Sequence, residues 1–176
     1  ISFGQGLGVV PLSFASGVAS IVNGGYRIKP TLYSLNERDQ RGHSIIREEV
    51  SEKLRYAMRQ VVKNGSGAQA DIPGYAVIGK TGTADIPCNG SYGGCGNRTA
   101  FVGAFPGWEP QYVILVSFER PKANINKGVK RNSSYWNAGP TAGNIIRLIA
   151  PILNVEYDEK KEVELSTYSE FKRETL

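Results

Sequence analysis

Gly79-Lys80-Thr81-Gly82-Thr83 places one ammonium, two hydroxyls and two glycines in five consecutive positions, a set of groups suited to holding an anion. Two backbone arrangements would present them differently. With Gly74, the stretch Gly74 to Thr81 fits the phosphate-loop pattern G-x-x-x-x-G-K-[ST], where a loop curls its N–H groups around phosphate and a helix begins at the lysine. With Gly82 and Thr83 it is a Lys-Thr-Gly-Thr strand. The flanks decide between them. Tyr75, Ala76, Val77 and Ile78 are aromatic, small or β-branched, and suit a pleated, half-buried strand. After Thr81 come Gly82-Thr83-Ala84-Asp85-Ile86-Pro87 and a glycine-dense run, where glycine and proline oppose a helix and no helical apolar period appears. The strand is the reading taken; a P-loop nucleotide binder is the remote alternative.

Other candidate chemistry is thin. His43 is the single histidine and sits in the polar stretch Asp39 to Ser44, so it reads as an exposed loop residue, and nucleophilic chemistry must use another base. No metal and no cofactor are expected. Gly4-Gln5-Gly6-Leu7-Gly8 has no strand before it and Val9 where a dinucleotide fingerprint needs its third glycine, so it reads as a turn before a helix. Lysines and arginines are scattered and no aromatic-plus-basic signature appears, so nucleic acid is not an expected partner.

The elements that must position Lys80 follow from spacing. Pro11 to Asn23 reads as a helix with Leu12, Ala15, Val18, Ala19 and Val22 as its stripe, stopped by Gly24-Gly25. Ser51 to Lys63 reads as a second, with Ser51 as N-cap, Leu54, Met58, Val61 and Val62 on one face, and Asn64-Gly65 as a left-handed stop. Strands are expected over Tyr75–Thr83, Thr99–Phe105 and Tyr112–Phe118, the last apolar enough to be central or covered on both faces. A third helix begins at Pro140 and is shortened by Pro151. The expected class is α+β, an antiparallel sheet covered by helices.

At 176 residues, 40% hydrophobic and 21% charged, the chain is long enough for one folded core. No apolar run is long enough to span a bilayer. The start at Ile1, without methionine, reads as the middle of something longer. The net charge of +5 is uneven: from Glu156 onward seven acids face four bases, leaving +8 on the rest. Residues 156–176 carry no sustained apolar period and are expected to form a polar, poorly packed tail after a domain covering 1–155.

Several separated segments agree on a family. Gly4-Gln5-Gly6-Leu7-Gly8-Val9-Val10-Pro11-Leu12 leads a helix that ends Val22-Asn23-Gly24-Gly25. Gly79-Lys80-Thr81-Gly82-Thr83-Ala84 follows, then Phe101-Val102-Gly103, then Trp136-Asn137-Ala138-Gly139-Pro140-Thr141-Ala142-Gly143. In this order and spacing, residues 1–155 resemble the C-terminal part of the transpeptidase domain of class B penicillin-binding proteins, the septal, cell-division type most closely. The fold implied is that of the penicillin-binding-protein and serine β-lactamase group. The activity implied is peptidoglycan D,D-transpeptidation through a serine acyl-enzyme, inhibited by β-lactams.

Such enzymes use a Ser-x-x-Lys nucleophile, a Ser-x-Asn and the Lys-Thr-Gly strand. Ser34-Leu35-Asn36 lies too close to Lys80 in a charged, turn-rich stretch, and Ser169-Glu170-Phe171-Lys172 falls after the strand it should precede; both read as chance matches. The chain therefore carries the substrate strand and lacks the nucleophile, and alone it is expected to be inactive. The resemblance implies that Lys80 supplies a fixed charge near the terminal carboxylate of a D-Ala-D-Ala stem peptide, and that Thr81 and Thr83 donate to that carboxylate. It implies that Gly82 leaves room for substrate backbone, and that the Thr83 N–H is half of an oxyanion hole.

Cys88 and Cys95 flank the loop after this strand. A disulfide at the rim of the site is the reading taken for an oxidising compartment, two free thiols being the alternative. The resemblance further implies stem peptide and β-lactams as ligands, cell-division proteins as partners of the parent, and a place on the periplasmic face of the inner membrane through an anchor upstream. A non-catalytic scaffold or division-complex module is the alternative from another class. An unpaired edge on Tyr112–Phe118 is expected to favour self-association of the piece.

Overall fold

The computed structural model describes residues 7–33, 42–92, 94–123 and 132–165. The serine patterns at 34–36 and 169–172, and Gly4, Gln5 and Gly6, lie outside them. Three strands form one antiparallel sheet in the order β1 (Ile78–Asp85), β2 (Asn97–Phe105), β3 (Tyr112–Glu119). Lys80 stands opposite Val102, Thr83 opposite Thr99, and Phe101 opposite Val116. Among the described residues three α-helices accompany it: α1 (Pro11–Val22), α2 (Glu48–Asn64) and α3 (Ala138–Ile149). The class is α+β, as expected.

Side-chain alternation along the strands divides the apolar residues between two cores. Phe101 and Phe105, with Tyr112, Ile114 and Val116, pack under Ala138, Ala142 and Ile146 of α3, and Val62 of α2 joins them. On the other face Ile78, Ala104 and Val113 meet Val18, Ile21 and Val22 of α1 and Tyr56 and Met58 of α2. α2 thus contributes to both cores.

Several sequence expectations need correcting. Ser51 is not an N-cap. α2 starts at Glu48, where Glu48 and Glu49 favour the positive end of the helix dipole. Ser51 is buried mid-helix, donating to Ile21 O at 2.6 Å and accepting from Gly24 N at 3.1 Å, so it ties α2 to the end of α1. Gly65 has φ −130°, so the helix ends in extended backbone rather than a left-handed turn. Tyr75 to Val77 precede β1 as a turn with Ala76 at φ 42°, and the strand runs on to Asp85. α3 begins at Ala138, two residues before Pro140, with Asn137 Oδ1 accepting from the Ala138 N–H at 2.7 Å. β3 is an edge strand among the described residues and only half-buried, so its apolar run does not mark a central position.

Residues 156–163 also depart from the loose tail expected over 156–176. Val155 and Val163 are 6% and 7% exposed and belong to the two cores. The Asp158 N–H donates to Gly74 O at 3.0 Å, and the Tyr157 ring stands edge-on to Tyr75. The sequence hides this because two buried valines eight residues apart make no period. Residues 166–176 lie outside the described part.

Candidate active site

Lys80 lies inside β1, and no helix starts there. The phosphate-loop reading therefore fails on geometry. Because Ile78 points into the α1-side core, Lys80, Gly82 and Ala84 face that side and Gly79, Thr81 and Thr83 the other. The two glycines differ sharply. A Cβ on Gly79 would lie 2.3 Å from the Phe101 ring, so the packed core requires glycine there. A Cβ on Gly82 would meet nothing within 4 Å.

The hydroxyls are held. Thr83 Oγ1 accepts from the Ser134 N–H at 3.2 Å, and Ser134 is itself buried with its Oγ donating to Ala100 O at 2.5 Å. An N–H can only donate, so the Thr83 proton stays free for an outside acceptor. Thr81 Oγ1 lies 2.6 Å from Ser66 Oγ. The Lys80 ammonium, exposed, donates to Thr81 O at 2.7 Å. Beside the strand runs a groove of about 710 Å³, with Leu7, Val9 and Phe14 on one wall and Lys80, Gly82 and Arg98 on the other.

The β1–β2 connection closes one end of this region. Asn89 and Gly90 both have positive φ (49° and 77°), the backbone of a two-residue hairpin turn, and Cys88 and Ser91 exchange N–H···O bonds of 2.9 Å across it. Cys88 and Cys95 are disulfide-bonded with Cα atoms 6.0 Å apart. Arg120 Nε donates to Cys95 O at 3.0 Å, and Arg98 pairs with Glu119 at 2.7 Å. The loop is thereby tied to the end of β3. His43 is exposed and remote from this chemistry, lining instead a groove along the other side of α1.

The start of β1 is fixed by a buried charge. Arg59 of α2, 6% exposed, donates to Val77 O at 3.1 Å, Asp71 at 2.8 Å and Glu162 at 2.6 Å. Burial pushes the Glu162 carboxyl up. The bonds from Arg59, the Val163 N–H and Lys63 outweigh that and hold it at about 2. Sequence reasoning missed Arg59, Ser66 and Ser134; only the Gly65-Ser66-Gly67 turn left a visible trace.

Residues 1–147 match the family model of the penicillin binding protein transpeptidase domain. The chain belongs to that family. Its class B likeness holds among the relatives. Stage V sporulation protein D of Bacillus subtilis is 33% identical over 93% of this chain and 26% of its own length. The probable peptidoglycan D,D-transpeptidase FtsI of Caulobacter vibrioides is 33% identical over 94% and 29%. Among solved structures, the apo transpeptidase domain of Burkholderia pseudomallei penicillin-binding protein 3 superposes with a TM-score of 0.78 at 27% identity, covering 89% of this chain and 46% of that one. Penicillin-binding protein 3 of Mycobacterium tuberculosis, complexed with ampicillin, gives 0.69 at 27% identity, covering 92% and 39%. The chain thus spans under a third of those two curated relatives and under half of the solved transpeptidase domain. The penicillin-binding-protein fold expected from the sequence is the one observed.

Proposed function

We propose that this chain supplies the substrate-gripping strand of a septal peptidoglycan D,D-transpeptidase, the serine nucleophile coming from the remainder of the domain. One observation carries the reading. Gly82 has open space where a side chain would stand, on the face that carries the exposed Lys80 ammonium, and the next residue is Thr83, whose hydroxyl proton is free. Nothing in the packing of the described residues calls for glycine there, whereas a peptide laid against the strand does.

On this reading Lys80 draws in the terminal carboxylate of a D-Ala-D-Ala stem peptide or of a β-lactam, and Thr81 and Thr83 donate charge-assisted hydrogen bonds to it. The Thr83 N–H completes the oxyanion hole. The Lys80 ammonium on Thr81 O supports that assignment: in an antiparallel ladder both backbone groups of a residue point to one side and the pattern repeats every second residue, so the Thr83 N–H faces the same edge. The parent acts at the periplasmic face of the inner membrane with division proteins as partners.

The test is covalent labelling by a fluorescent penicillin in the complete protein. Thr83→Val should slow acylation about 10-fold or more by losing one carboxylate donor, and Lys80→Ala should slow it by about 10²–10³. Labelling unchanged in both variants would overturn the reading, and no labelling of the wild type would favour a scaffold. The chain alone should give no covalent penicillin adduct; a stoichiometric mass shift would overturn the assignment of the nucleophile elsewhere.

A further inference from the structure

We propose that Ser66, which no motif marks, is a positioning residue for the carboxylate grip: its hydroxyl donates to Thr81 Oγ1 and so turns the Thr81 proton toward the bound anion. The proposal rests on the reading of Lys80 to Thr83 given above. Its ground is the 2.6 Å contact between the two hydroxyl oxygens, made across fifteen residues of chain.

Ser66 is held by a tight turn. The Gly67 N–H donates to Val61 O at 3.0 Å. A Cβ on Gly65 would lie 3.0 Å from Val61 O, and one on Gly67 3.1 Å from Val62 Cγ2. Both glycines therefore let the turn wrap onto the end of α2, leaving Ser66 exposed at its tip beside half-buried Thr81.

Each hydroxyl has one proton, so within the pair one donates and the other keeps its proton free. With Thr81 donating, its lone pairs would face the anion. With Ser66 donating, the Thr81 proton faces it. A carboxylate accepts only, so its arrival selects the second arrangement, and the chain Ser66→Thr81→carboxylate is strengthened by mutual polarisation. Thr83 offers the contrast, because its partner is the Ser134 N–H, which cannot reverse. One threonine is set by backbone, the other by a side chain that substitution can remove.

The experiment uses the complete protein with its nucleophile. Second-order acylation is measured with a penicillin bearing its free carboxylate and with the methyl ester of the same penicillin, alongside thermal melting. Ser66→Ala should lower the rate for the carboxylate form roughly five- to twenty-fold while the ester changes less than about two-fold. Ser66→Thr, which keeps the hydroxyl, should restore the rate at an unchanged melting temperature. Equal losses with both penicillins, no loss with either, or failure of Ser66→Thr to restore the rate would overturn the proposal. A wild type that does not favour the carboxylate form would sink the reading of the strand and this proposal with it. A preference of the same size in wild type and Ser66→Ala would remove Ser66 alone.

Discussion

Against α3 the sheet buries Phe101, Phe105 and Ile146 to 1% exposure or less, while beside α1 Leu7 and Val9 stay 61% exposed along an open groove. Both faces carry apolar residues, but the open one also carries Lys80, Arg98, Ser117 and Glu119. The difference lies in the covering element. α3 lays three small or branched residues, Ala138, Ala142 and Ile146, flat on the phenylalanines, whereas α1 closes only the part near Ile78 and Ala104. The closed face holds the chain together, and the open one leaves Lys80 and Gly82 accessible.

Removing a side chain tests this contrast most strongly. Phe101→Ala on the closed face should cost about 3–5 kcal/mol in denaturant unfolding, and Val9→Ala at the open groove within about 0.5 kcal/mol. Comparable costs would show that the groove is as well packed as the core. Next is Arg59→Met, which strands Asp71 and Val77 O and leaves Glu162 to Lys63 and the Val163 N–H. Both carboxylates are about a third exposed, so a loss of about 2–3 kcal/mol is expected rather than the full cost of a buried pair.

The glycine pair sharpens the comparison within one strand. Gly79→Ala should destabilise by about 1–3 kcal/mol through overlap with the Phe101 ring. Gly82→Ala should melt with the wild type yet slow penicillin acylation of the complete protein several-fold, as a methyl intrudes where ligand backbone would lie. If Gly82→Ala unfolds the protein, its openness has another cause.

The smallest effect is one of pH. Glu162 has its folded pKa lowered from 4.5 to about 2, so its contribution is present above pH 4.5 and is lost as pH falls toward 2. Allowing for solvent screening, about 1–2 kcal/mol should disappear over that window, and Glu162→Gln should flatten that part of the stability profile. An unchanged profile in the variant would mean that residues 155–163 are held without a contribution from the Glu162 charge.

Much of the candidate site was legible before the fold was known. Lys80 to Thr83 was read as a strand because β-branched and aromatic neighbours suit extended backbone, and that strand exists, shifted by three residues at its start. Alternation within the expected strand Thr99–Phe105 puts Phe101 and Phe105 on one face, as observed. Other readings failed where a local rule met a distant partner. Ser51 looked like a cap because serine caps helices, but its hydroxyl bonds Ile21 O thirty residues away. The α2 stripe assigned Leu54 to the core, yet Leu54 is 38% exposed and Arg59 is buried instead. No periodicity signals a buried arginine whose carboxylate partners lie at 71 and 162.

The sequence by itself determined the family, the three strands and the groups that would meet an anion, because those rest on residue types at short spacing, where backbone preference and alternation act. The tertiary structure alone decided that Gly79 serves the core and Gly82 does not, that Ser134 and Ser66 hold the two threonine hydroxyls, and that residues 155–163 are latched to β1 through Arg59. Each of these depends on atoms brought together from fifteen or more residues apart. Hydrogen bonds of 2.6–3.2 Å are set by the packing of whole elements, which no local pattern encodes.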